Sequence, residues 1–218
     1  MPVDELEPFK VARSINIMGV KHAVITSVDR DDIKDGGSII WAETVNAIRD
    51  LNPNTTIETL IPDFKGETDN IDRIIKVAPE VVSHNLETVR RLTKEVRIQA
   101  KYDRSLEVLK YLKESGISRT KSGVMLGLGE KREEVLETLD DLRSVGVDIV
   151  TLGQYLQPSK KHLPVLDFIT PDEFKEYEII GKEMGFRHVE SGPLVRSSYK
   201  AHKHICLLYT SPSPRDIS

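Results

Sequence analysis

Six stretches of the chain end in side chains able to do chemistry. They read Thr26-Ser27-Val28-Asp29-Arg30-Asp31-Asp32, Glu58, His84-Asn85-Leu86-Glu87, Gly127-Leu128-Gly129-Glu130, Gln154-Tyr155-Leu156-Gln157 and Ser191-Gly192-Pro193. Carboxylates, amides and hydroxyls suit hydrogen bonding to a polar ligand, and glycines let a backbone approach a flat one. Each end alone is also what a solvated loop looks like; together they make a site if the fold brings them to one mouth. Asp29, Arg30, Asp31, Asp32 and Asp35 crowd one loop, where pairing with Arg30 and Lys34 is the plain account. No histidine or spacing there supports a pair of metals. Arg196-Ser197-Ser198-Tyr199-Lys200-Ala201 sets two hydroxyls side by side, which by themselves read as a helix cap. His202 and His204 are incidental as a metal pair, and the only thiol is Cys206. One cysteine excludes an internal disulfide, a zinc site of two or more thiolates, and an iron–sulfur cluster held by several cysteines of this chain.

The elements that must position these residues are legible in the hydropathy pattern. Of 218 residues, 39% are hydrophobic, enough to bury a sizeable core. The 31 basic and 35 acidic side chains nearly balance, giving no expectation of nucleic-acid binding. There is no apolar run of about 18 residues, so no membrane span is expected. The start, MPVDELEPFK, lacks the apolar stretch of a signal peptide. Strands are expected at 22–28, 55–62, 81–87, 122–130, 148–158 and 186–192. Helices are expected at 38–51, 70–77, 103–115, 133–146 and from Thr170 to about Gly185. Val135, Leu136, Leu139, Leu142 and Val145 form an apolar stripe at helical spacing. Thr170-Pro171-Asp172-Glu173 is a helix start, with a capping hydroxyl, proline at the first position and an acid at the third. This alternation implies a parallel α/β sheet covered by helices, a partial barrel or a doubly wound sheet. In either, chemistry belongs at the C-terminal strand ends.

Longer blocks then carry a resemblance. ITSVDRDDIKDGG (25–37), IETLIPDFKG (57–66), SHNLETV (83–89), TKSGVMLGLGE (120–130), TLGQYLQPSKKHLPV (151–165) and GPLVRSSYKA (192–201) closely resemble lipoyl synthase, in that family's order and over roughly residues 5–205. The resemblance implies a partial (β/α)6 TIM-like barrel of the radical S-adenosylmethionine type. It implies insertion of two sulfur atoms at C6 and C8 of a protein-bound octanoyl chain. The cofactors implied are S-adenosylmethionine and two 4Fe-4S clusters, one of them auxiliary and consumed as sulfur donor. The implied partner is an octanoylated lipoyl-carrier domain or a glycine cleavage H-type protein, with no nucleic acid and no membrane. The implied compartment is the cytoplasm, or the mitochondrial matrix in a eukaryote. Carried over by position, Gly123-x-Met125-x-Gly127-x-x-Glu130 resembles the motif framing the adenosyl group. Asn85 and Glu87 resemble a pair binding ribose or the methionyl group, Asn85 being otherwise a turn-capping residue. Thr26 and Ser27 fall where the methionyl amino and carboxylate ends are held. Lys121 would pair with that carboxylate, and Gln154 lies on the same mouth. In RSSYKA one serine ligates the auxiliary cluster through oxygen, here Ser198, with Ser197 as the alternative.

Two features depart from the family. Its cysteine triplets, CxxxxCxxxxxC and CxxxCxxC, are absent, and Met1 falls just after their expected place. The expectation is therefore an N-terminally truncated barrel over residues 1–205, first strand missing and inactive alone. The tail at 206–218, with its Ser-Pro repeats, reads as disordered or non-native. The alternatives are a cluster-free, non-catalytic relative that binds an acylated carrier domain, or an unrelated sugar-phosphate barrel enzyme.

Overall fold

β-Branched runs pair side by side into one six-stranded sheet in the order β1-β2-β3-β4-β5-β6. The strands are β1 (His22–Thr26), β2 (Thr56–Leu60), β3 (Val81–Ser83), β4 (Thr120–Leu126), β5 (Ile149–Gln154) and β6 (His188–Gly192), and every pairing is parallel. The computed structural model of the protein describes residues 3–97 and 101–206. The helices are α1 (Glu7–Met18), α2 (Ser38–Leu51), α3 (Thr68–Val77), α4 (Thr93–Val96), α5 (Tyr102–Glu114), α6 (Arg132–Ser144), α7 (Pro171–Glu183) and α8 (Lys203–Cys206). Among the described residues none is long and apolar enough to cross a membrane.

Each strand sends alternate residues to opposite faces, and the two faces differ in chemistry. Ala23, Ile57, Val82, Val124, Leu126, Val150, Leu152 and Val189 point to one face and pack under the helices. Ile15 of α1 and Val45 and Ile48 of α2 meet Ala23 and Ile57. Ile74, Val108 and Leu112 of α3 and α5 meet Val82. Leu139 of α6 and Phe174 of α7 close over the later strands. The register puts Glu58, Lys121, Gly123, Thr151, Gly153 and Glu190 on the other face. That face is polar, and the segment after β6 crosses it.

Each expected strand is present; the first five end sooner than the sequence suggests, because their polar ends turn away from the ladder, while β6 ends at Gly192 as expected. At 81–87 only Val81–Ser83 is strand; Glu87 returns as an isolated parallel bridge to Val124. Helix α7 starts as expected: Thr170 Oγ1 accepts from the Glu173 amide at 3.2 Å, and Glu173 accepts from the Thr170 amide at 2.9 Å. Helix α1 is not foreseen. Its buried side chains are only Pro8, Ala12 and Ile15, while Phe9, Ile17 and Met18 are exposed, so its apolar residues are not confined to one face. The expectation for the tail lies, beyond Cys206, outside the described residues.

Candidate functional site

The chain leaving β3 stays beside β4 and shapes the site. The His84 amide donates to the Lys121 carbonyl at 3.0 Å, Glu87 to Gly123 at 2.9 Å, and Met125 back to Glu87 at 2.8 Å. Glu87 adopts φ +68°, a conformation that costs a non-glycine residue and is held here by its two main-chain bonds. Asn85 Nδ2 donates to Glu87 Oε1 at 3.0 Å, and the Asn85 carbonyl accepts from Arg97 at 2.8 Å. Asn85 Oδ1 is buried with no partner. Burial pushes the Glu87 carboxyl up, opposed by the Asn85 amide and the Arg97 guanidinium.

Gly123 faces that orphaned oxygen. A Cβ there would lie 2.8 Å from Thr151 Oγ1 and 3.0 Å from Asn85 Oδ1, so only glycine leaves the space open. The opening leads into a cavity of about 410 Å³ lined by Leu60, Asn85, Glu87, Gly123, Met125, Thr151, Gly153, Gln154, Leu156, Arg196 and Ser197, among others. Of the residues to which the sequence assigns a ligand role, Asn85, Glu87, Gly123, Gln154 and Ser197 line this cavity, and Met125, Leu156, Gln157 and Arg196 of the same motifs line it too.

The others take different places. Thr26 and Ser27 are exposed at the end of β1. Glu130 folds back so that its carboxylate accepts from the Gly127 amide and, at 2.9 Å, from the Leu128 amide. Gln154 spends its amide on the main chain: Nε2 donates to Tyr155 and Asp167 carbonyls, and Oε1 accepts from the Ile169 amide at 3.0 Å. A Cβ on Gly127 would sit 2.3 Å from Gln154 Nε2. Gly127, Glu130 and Gln154 thus tie the loops after β4 and β5 together.

Lys121 is engaged inside the protein and not open to the cavity. Its ammonium is fully buried, 2.6 Å from the equally buried Glu58 Oε1, and donates to the Ser197 carbonyl. Ser83 Oγ adds a bond to the same carboxylate oxygen at 2.9 Å. Glu58 Oε2 lies 3.9 Å from both His22 Nε2 and His204 Nδ1. Burial alone would raise Glu58, but His204, His22 and Lys121 outweigh it and hold the carboxylate below its ordinary range. His204, incidental in the sequence, is in fact buried, with its ring 4.6 Å from that of His188 and edge-on to it.

The segment after β6 closes the cavity from above. Gly153 lets it pass: a Cβ there would stand 2.2 Å from the Val195 carbonyl oxygen. Ser197 faces the cavity, whereas Ser198 is exposed on the following turn. Sequence reasoning missed Thr151 and Gly153, and named Arg196 within its motif without giving it a role. A glycine inside a strand marks a close backbone approach, and TLGQ was the available signal.

A six-stranded parallel sheet with one helix-covered face, and a cavity roofed by the segment after its last strand, defines an α/β protein of the partial-barrel class. Residues 2–142 match the Radical SAM superfamily. Solved structures share the fold: HydG, a maturase of the FeFe-hydrogenase, has a TM-score of 0.68 at 17% identity, covering 94% of this chain and 48% of that one. Streptococcus suis SuiB bound to S-adenosylmethionine has a TM-score of 0.64 at 15% identity, covering 94% and 47%. Among curated proteins, the lipoyl synthase of Christiangramia forsetii is 75% identical over 203 residues, 93% of this chain and 69% of the relative. The mitochondrial lipoyl synthase of Nematostella vectensis is also 75% identical, over 93% and 70%. The chain belongs to the lipoyl synthase family.

Proposed function

We propose that this chain forms the barrel of a lipoyl synthase, holding S-adenosylmethionine in the cavity beneath Arg196 and Ser197. Its substrate is an octanoyl chain, carried by a lipoyl-carrier domain or a glycine cleavage H-type protein, that receives sulfur at C6 and C8. The observation that carries this reading is the cradle at Asn85, Gly123 and Thr151. Asn85 Oδ1 is a buried acceptor without a donor, beside space that a Cβ at Gly123 would fill. Leaving such an acceptor unmet costs about 1–3 kcal/mol, which a ligand hydroxyl or amino group would recover. Glu87 supports Asn85 from below, and Met125 and Leu156 add apolar wall for an adenine.

When bound, S-adenosylmethionine with a reduced 4Fe-4S cluster supplies the radical chemistry that breaks an unactivated C–H bond, which no side chain can do. This chain's residues bind, orient and enclose. Thr26 and Ser27 are assigned to the methionyl end, Asn85, Glu87 and Gly123 to the nucleoside, and Gly127, Glu130 and Gln154 to holding the loops around it. The clusters do not fit this chain's own donors. Its one thiol is Cys206, and among the described residues no group of three or more His, Cys, Asp or Glu could hold a metal. The thiolates would come from outside these residues. Ser198, or alternatively Ser197, is the one oxygen donor that the RSSYKA resemblance offers to the auxiliary cluster. The compartment proposed is the cytoplasm, or the mitochondrial matrix in a eukaryote; one relative is named mitochondrial.

A chimera tests the reading. This chain's matched residues replace their counterparts in the Christiangramia forsetii enzyme, and octanoylated carrier is followed by intact mass. Conversion to the lipoylated carrier is expected, with loss on Asn85→Ala. A folded chimera that binds S-adenosylmethionine yet leaves the carrier octanoylated would overturn it.

A further inference from the structure

The segment after β6 must be held at a fixed height above the sheet if Arg196 and Ser197 are to roof the cavity. Two observations say how. Gly153 leaves room for the Val195 carbonyl to lie directly on β5. On β4, the buried Lys121 ammonium reaches up to the Ser197 carbonyl while Glu58 Oε1 holds it at 2.6 Å and Ser83 braces the carboxylate at 2.9 Å. A lysine in the interior is costly unless its charge is met, and a carboxylate plus a main-chain carbonyl meet it here. Glu58, Ser83 and Lys121 sit on adjacent strands of a rigid parallel ladder, so the ammonium has little freedom. The Ser197 bond is the one that carries Lys121 out of the sheet; Glu58 itself also faces His204 of the same segment, with Oε2 3.9 Å from Nδ1.

We propose that Lys121, set by Glu58, is a positioning residue: it anchors the Ser197 main chain and so fixes the serine-bearing segment over the cavity. It acts through that carbonyl and touches no ligand. The proposal goes beyond the cofactor reading above and stands on the ion pair and its carbonyl partner alone, so its test needs no cofactor.

The other groups facing this pair are His22, His204 and, more distantly, Glu190. None of them reaches the Ser197 carbonyl. Removing Lys121 alone would strand the buried Glu58 charge, so the informative variant is the neutral pair Glu58→Gln with Lys121→Met. Hydrogen exchange is followed on the whole chain, peptide by peptide. In the double variant, exchange across 193–201, which carries the Tyr199 and Ala201 amides bonded to Arg196 and Ser198 carbonyls, should quicken about tenfold or more. That corresponds to about 1.4 kcal/mol of local opening, while β4 and β5 keep their protection. A merely structural pair would instead lower protection in the strands and the segment alike, and unchanged exchange at 193–201 in a folded double variant would overturn the anchor. A second measurement needs no variant. In the unmodified chain, the Lys121 ammonium should appear as a slowly exchanging nitrogen resonance with cross-relaxation to Ser197. An ammonium exchanging as fast as surface lysines would refute the proposal even if the double variant failed to fold.

Discussion

Gly153→Ala is the substitution whose effect can be worked most fully from the geometry. The new Cβ would stand 2.2 Å from the Val195 oxygen and 3.1 Å from its carbonyl carbon. Ordinary carbon–oxygen contact begins near 3.2–3.4 Å, so about 1 Å of movement is forced, and the obstacle is main chain that cannot rotate aside. Either β5 strains or residues 195–196 lift. Strain of this kind costs about 1–3 kcal/mol; at roughly 2–4 °C per kcal/mol for a chain of this size, the melting temperature falls by about 2–12 °C. If the segment lifts instead, stability changes less and the cavity loses its roof. Gly192→Ala is the matched control, because its Cβ would meet only Val195 Cγ2 at an ordinary 3.5 Å. Differential scanning calorimetry and S-adenosylmethionine titration are run on both variants. Gly153→Ala should lose melting temperature, affinity or both, and Gly192→Ala should match the parent. Equal behaviour of the two variants would refute the claim that the segment rests on β5.

Three further outcomes follow from individual side chains. Glu58 is held below the ordinary carboxylate value of 4.5, so its stabilisation is complete above that pH and is lost as pH falls through the lowered folded value; the parent's urea midpoint should fall more steeply between about pH 5 and about pH 3 than that of Glu58→Gln, and parallel slopes would count against it. His84 is buried between the Ile61 carbonyl and Ser105 Oγ, both at 2.9 Å, and burial holds it at about 4. Its ring resonances should stay those of a neutral imidazole from pH 8 to about pH 5, and a midpoint near 6.5 would show that the ring is solvated. Thr170→Ala removes the cap of α7 and should cost about 1 kcal/mol in denaturant unfolding, with no change in S-adenosylmethionine affinity.

Periodicity made the sheet and most of the helices legible. Runs such as HAVIT and IVTLGQ can only be strands in this context, and the stripe through Leu139 and Leu142 can only be a buried helix face. Helix α1 escaped because a proline and an alanine fill most of its narrow contact, leaving Phe9 and Ile17 outside. The cavity was partly legible: Asn85, Glu87 and Gly123 stood out by type and motif, and they do meet. Lys121 shows what sequence hides. Its partner Glu58 lies 63 positions away on a non-adjacent strand, and the carbonyl it holds lies 76 positions on. Main-chain acceptors leave no mark in a sequence at all. His204 was invisible for the same reason, since only the return of the last segment across the polar face buries it. Gln154 and Glu130 were legible as polar strand ends but not as loop ties, because an amide that binds ligand and one that binds backbone look alike in sequence.

On the proposed reading, the cavity between Asn85, Gly123 and Arg196 takes S-adenosylmethionine. Amide chemical-shift mapping during titration of the chain with S-adenosylmethionine tests it directly. The predicted result is saturable shifts concentrated at Asn85, Gly123, Gly153 and Ser197, abolished by Gly123→Val, whose side chain would fill the cradle. Shifts centred instead on the second opening beside β6, at Lys182, His188 and Lys200, or shifts that survive Gly123→Val, would show that the cavity is not the binding site.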